Sequence, residues 1–174
     1  MSKLREFGKS LLDCAVIGFL IATVIYKLPF VINETASIPL GVYIAVPGEI
    51  RNGDYVLYEP EEWIHQLKRD NDWVKPDEPD LPFIKKAIIA GHRYTIDKHT
   101  ASFIVDGRYI GQIYRDDNKG HKMPELEQGS YIVPNGKFLP VGEADRSFDG
   151  RYTGVVSKDR IIHRIVPVIT WPLS

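Results

Sequence analysis

The sequence predicts a mainly β domain carried on one N-terminal transmembrane helix. Two patterns point to this fold class. From Cys14 to Tyr26 the chain carries no charged residue, whereas from Ile38 onward apolar and polar residues mostly alternate, which is the period of half-buried strands. Twelve prolines and fourteen glycines among 174 residues favour many turns and short strands. We therefore expect an antiparallel β architecture in residues 31–174.

The predicted transmembrane helix covers residues 11–30. A spanning helix needs about 20 mostly apolar residues, and only Asp13 and Lys27 interrupt the apolar run that extends to Ile32. Lys27 is suited to reach the membrane interface with its long side chain, and Pro29 is expected to end or bend the helix.

The charges that precede this segment predict its orientation. Residues 1–10 contain three basic side chains and one acidic one: Lys3, Arg5, Lys9 and Glu6. Because basic flanks stay on the cytoplasmic side, we expect residues 1–10 to be cytoplasmic and residues 31–174 to be extracytoplasmic.

Two other interpretations of the apolar segment stay open at this stage. A run of thirteen uncharged residues also fits the apolar region of a cleavable signal peptide. The nearest candidate cleavage site, Glu34-Thr35-Ala36, places a glutamate where a small residue is needed. The segment would otherwise be a buried helix of a soluble core, which its basic flank argues against.

The remainder of the chain reads as strands joined by turns. Asn52-Gly53 and Asp106-Gly107 are hairpin-type turn signals. We expect one helical turn at residues 63–67, and surface loops at residues 75–82 and 116–120. The predicted strands lie within residues 41–47, 54–60, 82–91, 94–114, 130–142 and 159–171.

Composition excludes several classes of function. A net charge of −1 excludes a generally basic nucleic-acid binder. A single cysteine, Cys14, excludes an internal disulfide and a multi-cysteine zinc site. The five histidines have no metal-ligand spacing. We therefore predict no metal, no cofactor and no nucleic-acid partner.

Three stretches carry candidate chemistry. Residues 33–43 contain Ser37 shortly before a proline and a glycine, which favour a tight turn. Residues 83–91 form an apolar strand with two adjacent lysines. A buried lysine is costly unless it is paired or neutral, and its pKa falls on burial, which suits a general base. Residues 142–152 form a small polar loop with a potential Asp149–Arg151 ion pair.

In this order the stretches resemble the signal peptidase I family of Ser/Lys proteases, and in particular its conjugative-transfer, TraF-type branch. Residues 37–43 are similar to the nucleophile box, and residues 52–57 are similar to the Gly-Asp strand. Lys85-Lys86 stands where the family has Lys-Arg, and residues 147–152 are similar to the Ser-x-Asp-x-Arg box. The closing residues, 166–171, are similar to the end of TraF-type chains.

The resemblance implies a role for six residues. These are Ser37 as the nucleophile, Lys85 as its general base, Thr35 as a donor to the oxyanion hole, Ser147 as the group that orients the lysine, and Asp149 with Arg151 as a structural ion pair. The sequence departs from the family pattern at two places. Lys86 replaces the usual arginine, and Gly-Glu-Ala-Asp-Arg precedes Ser147 where housekeeping enzymes have Gly-Asp-Asn.

The resemblance further implies a serine endopeptidase of the bacterial inner membrane, with its catalytic domain on the periplasmic side. The expected substrate is a signal-bearing or pilin precursor with small residues at positions −1 and −3, and the expected partners are the lipid bilayer and a conjugative secretion apparatus. Pro29 and Ser37 are eight residues apart, at most about 28 Å, so the nucleophile is expected near the membrane. Two alternatives are a housekeeping type I signal peptidase and a non-catalytic, membrane-tethered β domain that binds a partner.

Overall fold

The computed structural model describes residues 16–17 and 29–171, whose strands form two sheets. The larger sheet has seven strands, in the spatial order β1 (Phe30–Asn33), β2 (Leu40–Val46), β11 (Ile161–Trp171), β3 (Tyr55–Tyr58), β4 (Phe83–Ile88), β9 (Lys137–Val141) and β10 (Val156–Ser157). The smaller sheet has the order β7 (Arg108–Gln112), β6 (Ser102–Val105), β5 (Arg93–Asp97) and β8 (Gly129–Ile132). Two short helices, α1 (Glu62–Asp70) and α2 (Gly150–Thr153), and a 3-10 turn (Lys158–Arg160) complete the described elements.

The prediction of a mainly β fold with antiparallel sheets is confirmed. Every pairing of strands β2 to β11 is antiparallel. The predicted transmembrane helix, residues 11–30, lies almost wholly outside the described residues. The structure describes only residues 16–17 and 29–30 of it, and Val16 and Ile17 are helical. Within the described part of the chain, no helix has the length and apolarity that crossing a membrane requires.

The Asp106-Gly107 turn joins two paired strands, as its sequence predicts. Asp106 and Gly107 have φ values of 49° and 76°, and Val105 lies opposite Arg108 in the register of β6 and β7. Positive φ at both central residues matches the twist of a two-residue hairpin. The local turn signal is therefore sufficient here.

The Asn52-Gly53 turn does not form the hairpin that its flanking strands suggest. Strand β11 lies between β2 and β3 and pairs with both. The turn instead contacts β4, since the Gly53 amide donates to the Ala87 carbonyl at 2.9 Å. The turn signal at Asn52-Gly53 carries no information about so distant a segment as β11, which lies between the two strands that flank the turn.

Helix α1 is longer than the single helical turn expected at residues 63–67. Its apolar residues, Trp63, Ile64 and Leu67, recur at the three- to four-residue spacing typical of a helix, but only Ile64 and His65 are buried. His65 is held by a carboxylate, with its Nε2 atom 2.9 Å from Glu59 Oε1. Because the apolar repeat covers only residues 63–67, it underestimates the length of this helix, which continues to Asp70.

The pairing of β4 with β9 positions the residues of interest. The smaller sheet is an excursion of the chain between these two neighbouring strands. In their register Lys86 lies opposite Val141 and Ala87 lies opposite Pro140. Continuing this register brings the backbone of Lys85 alongside the start of the 142–152 loop.

An apolar cluster fixes the beginning of β2. Ile38, Tyr43 and Ile165 are buried and pack together. The Tyr43 hydroxyl also donates to the Pro39 carbonyl at 2.7 Å. The turn that contains Ser37 is thus anchored to the core directly after the serine.

Gly41 tests how closely β2 and β11 approach each other. It has a φ of 148°, and a Cβ atom there would lie 2.1 Å from the Ile169 carbonyl oxygen. Gly41→Ala should therefore lower the free energy of unfolding by about 1–3 kcal/mol more than Gly48→Ala, because overpacking adds to the backbone strain. Urea unfolding of the full chain in detergent measures both variants.

Gly48 is the matched control because its φ is also positive, at 122°, while a Cβ atom there has space around it. Equal destabilisation by the two substitutions would contradict the close approach of β11 to Gly41.

Candidate active site

A cleft of about 390 Å³ contains Ser37 and Lys85 in its walls. One wall comes from residues 32–37 and a second from the strand that carries Lys85. The segment between β3 and β4 supplies the rest, including Trp73 and Leu81, together with Phe148 of the polar loop. The structure therefore brings the nucleophile box, the lysine strand and the 142–152 loop to one place.

Asn33 holds the turn that carries Ser37. Its Nδ2 atom donates to the carbonyls of Thr35, Ile38 and Pro39 at 2.9–3.1 Å. Its Oδ1 atom accepts from the backbone amide and the hydroxyl of Thr35, at 3.2 and 2.9 Å. Asn33 is itself buried, and together these bonds fix the backbone around Ser37. The Thr35 hydroxyl lines the cleft but is engaged with Asn33.

The backbone of Ser37 is tied to the polar loop. Its carbonyl accepts from the amides of Glu143 and Ala144, at 2.6 and 3.4 Å. Gly142 lies between the two serines, since a Cβ atom there would come within 1.9 Å of Ser147 Oγ and 3.0 Å of the Ser37 carbonyl oxygen. Only glycine allows Ser37 and Ser147 to approach the same point.

Lys85 is buried, and its amine meets Ser147. The Nζ atom donates to Ser147 Oγ at 2.8 Å, and both side chains are 3% exposed. Burial lowers the pKa of Lys85 to about 8, with the positive charge of Arg151 acting in the same direction and the Asp149 carboxylate opposing it. A substantial fraction of this amine is therefore neutral near pH 8 and able to accept a proton.

Asp149 and Arg151 form a fully buried ion pair. Arg151 Nε lies 2.9 Å from Asp149 Oδ1, and Asp149 Oδ2 accepts from the Gly142 amide at 2.8 Å. The Arg151 guanidinium also donates to the carbonyls of Gln112 and Asp145. The pair thereby ties both ends of the loop to each other and to the end of β7.

Lys86 points away from this cluster. Neighbouring side chains of a strand lie on opposite faces, and Lys86 Nζ lies 2.8 Å from Glu143 Oε1. Glu143 also accepts a hydrogen bond from the Tyr55 hydroxyl. These two hydrogen bonds outweigh the effect of burial and hold the pKa of Glu143 below its usual value. Of the two adjacent lysines, Lys85 is the one directed towards Ser147.

Comparison with known families adds to this geometry. A family model for signal peptidase, peptidase S26, matches residues 4–171. The chain belongs to the S26 signal peptidase family. The family consists of serine peptidases, and the polar cluster around Lys85 lies within the matched region.

Two relatives of this S26 chain have the same name. Each is described as plasmid transfer protein TraF from Escherichia coli. One is 25% identical over 98% of this chain and 100% of its own length. The other is 24% identical over 97% of this chain and 98% of its own length. The similarity extends over the full length of the first relative and nearly the full length of the second.

Sequence reasoning did not assign roles to three features of this S26 site. Asn33 precedes the nucleophile box of residues 37–43 and has no role in the sequence-based prediction, although an asparagine two residues before Thr35 is a known turn signal. Gly142 carried no signal of its close contact with Ser147. The insertion at residues 59–81 matched no motif, and it supplies Trp73 to the cleft wall. Among the described residues no cluster of His, Cys, Asp or Glu is arranged to hold a metal ion.

The lowered pKa of Lys85 predicts a pH-dependent contribution to stability. Below pH 8 both the folded and unfolded lysine are protonated, so the folded state bears the full cost of a buried charge. Between pH 8 and the ordinary lysine pKa, only the unfolded state holds the proton, so the native chain gains stability as pH rises. Between pH 6 and pH 11 the free energy of unfolding of the native chain should therefore rise by roughly 3 kcal/mol relative to that of Lys85→Met.

Urea unfolding of both chains in detergent, from pH 6 to pH 11, measures this difference. Curves that stay parallel over the whole range would show that the amine is not held in an environment that disfavours its charge.

Proposed function

We propose that this chain is a membrane-bound serine endopeptidase that uses Ser37 and Lys85 as a catalytic dyad. The observation that carries the proposal is the buried Lys85 amine, which has a pKa of about 8 and a hydrogen bond to Ser147 in the cleft that Ser37 lines. A serine hydroxyl requires a nearby base before it can attack an amide. An amine that is partly neutral near physiological pH meets this requirement.

The first chemical step follows from these groups. Neutral Lys85 accepts the proton of the Ser37 hydroxyl while the serine oxygen attacks the substrate carbonyl. The Ser37 amide and the Thr35 hydroxyl stabilise the oxyanion. For this the Thr35 hydroxyl has to turn from Asn33, its present acceptor, towards the substrate. Lys85 then gives its proton to the leaving amine, and an ester to Ser37 remains.

Ser147 acts on Lys85 and not on the substrate. Its oxygen accepts a hydrogen bond from Lys85 Nζ at 2.8 Å. This bond fixes the orientation of the amine, so that its lone pair can accept the proton of Ser37. Asp149 and Arg151 have a structural role, because both side chains are fully buried and their bonds go to the loop backbone. Neither the dyad nor these supporting groups require a metal or a cofactor for the proposed steps.

The proposed substrate is a signal-type or pilin precursor that is cleaved during conjugative transfer. This rests on membership of the signal peptidase family and on similarity to two proteins named plasmid transfer protein TraF. The proposed setting is the bacterial inner membrane, with residues 11–30 as the anchor and residues 31–174 on the periplasmic side. The precursor, the bilayer and the conjugative secretion apparatus are then the expected partners.

Substitution of the two lysines tests the proposed base. The full chain in detergent is assayed on a precursor peptide with alanines at positions −1 and −3. Lys85→Arg should abolish cleavage because a guanidinium stays protonated at working pH. Lys86→Arg should retain activity because its charge pairs with Glu143. Activity of the native chain should rise with pH through about 8, as Lys85 loses its proton.

Two further variants complete this assay. Ser37→Ala should be inactive. Ser147→Ala should slow turnover by about 5- to 150-fold, the range for one hydrogen bond to a buried amine. Each variant is first checked for native circular dichroism. Activity that survives in Lys85→Arg but disappears in Lys86→Ala would reverse the assignment of the base.

Reporter fusions test the proposed membrane orientation. An enzyme that is active only outside the cytoplasm, fused after Ser174, should be active because residues 31–174 are proposed to lie outside. Changing Lys3, Arg5 and Lys9 to glutamine should reduce this activity, because these positive charges are expected to hold the N-terminus on the cytoplasmic side. A silent C-terminal fusion, together with an active fusion of a cytoplasmic reporter, would refute the orientation.

A further inference from the structure

A second cavity, of about 360 Å³, adjoins the cleft that contains Ser37 and Lys85. The two cavities share two aromatic side chains, Trp73 and Phe148. Phe148 directly follows Ser147, the acceptor for the lysine amine. A polypeptide that leaves the cleft past Trp73 and Phe148 therefore meets the second cavity next.

Hydrogen bonds join the two loops that form this cavity. Trp73 Nε1 donates to Asp117 Oδ2 at 2.6 Å, and the Lys119 amine donates to the Asp72 carbonyl. Asp117 also accepts from the backbone amides of Lys119 and His121, at 2.7 and 2.9 Å. The insertion between β3 and β4 is thus fastened to the loop after β7, and the cavity is a built feature of the fold.

Aromatic side chains form one part of the cavity wall, where an apolar side chain of a peptide can pack, and charged side chains including Asp116 and Lys119 form another part. The ring of Phe148 stacks on the ring of Tyr152 at a centroid distance of 5.6 Å. From the same loop as Phe148, the Arg146 guanidinium lies 4.0 Å from the centroid of the Tyr114 ring and donates to Asn118 at 2.6 Å, and both of these partners belong to the loop after β7. Aromatic and arginine side chains are the types that contribute most to peptide and protein binding. The volume lies in the range of ligand-binding pockets.

The position of the cavity indicates which part of a precursor reaches it. Residues 32–37 line the cleft but not the second cavity. These residues follow the predicted membrane span closely in sequence, so the membrane-embedded part of a precursor would enter the cleft beside them. The part that extends past Phe148 is then the segment that follows the scissile bond.

We infer that the second cavity binds the precursor segment that follows the scissile bond, and that it selects an aromatic or large aliphatic side chain in that segment. This inference rests on the proposed endopeptidase function and adds a specificity determinant to it. The insertion at residues 59–81 thereby acquires a role, because its Trp73 forms the wall between the two cavities. Arg146 and Tyr114 then bind substrate and take no part in the chemical step.

Three peptides with the same upstream sequence, including alanines at −1 and −3, test the inference. The first ends just after the scissile bond, the second continues with glycine and serine, and the third carries a phenylalanine within that continuation. The full native chain in detergent should cleave the third with a kcat/KM about tenfold or more above that of the second, as expected for burial of one aromatic side chain. This ratio should approach one in Arg146→Ala, which removes a wall, and in Asn118→Trp, which fills the cavity.

Arg108→Ala is the matched control, since Arg108 is an exposed arginine in β7 outside the residues that line either cavity; it should keep the native ratio. Cleavage of the second and third peptides with equal kcat/KM by the native chain would overturn the inference while leaving the proposed endopeptidase intact. A preference for the phenylalanine peptide that persists in both cavity variants would also overturn it, because another surface would then bind the phenylalanine. Failure of the folded native chain to cleave all three peptides would refute the endopeptidase and the inference together.

Discussion

The buried ion pair between Asp149 and Arg151 is the interaction on which the proposed site depends. Its carboxylate holds the Gly142 amide, and its guanidinium holds carbonyls from the loop and from the end of β7. Breaking such a pair leaves one buried charge without compensation, which typically destabilises a protein by about 3–5 kcal/mol. The pair therefore keeps a polar loop ordered inside the domain, where Ser147 meets the lysine.

The same pair also determines the electrostatic environment of Lys85. The carboxylate of Asp149 alone would favour the charged amine, and the guanidinium of Arg151 counteracts it. Burial then remains the largest effect and lowers the pKa of Lys85 to about 8. The structural ion pair thus has a chemical consequence. It allows the buried Lys85 to lie near a carboxylate and still lose its proton near physiological pH.

The insertion between β3 and β4 and the loop after β7 extend this organisation beyond the dyad. His65 fastens α1 to Glu59, and Trp73 connects the insertion both to Asp117 and to the ring of Phe148. Phe148 belongs to the loop that the ion pair orders. The wall shared by the two cavities is therefore coupled by direct contacts to the loop that carries Ser147.

Local patterns in the sequence determined the mainly β class, the Asp106-Gly107 hairpin and the order of the candidate boxes, because alternation and turn chemistry act over a few residues. They did not distinguish the two lysines on their own, since both faces of that strand are apolar. Only the tertiary structure shows which of the two lies beside Ser147, through the register of β4 and β9 and the contact of Lys85 with Ser147. It likewise decided the place of β11 between β2 and β3 and the closeness of Gly142 to Ser37. Each depends on segments far apart in the chain, whose pairing reflects packing over the whole domain and leaves no signal in the residues nearby.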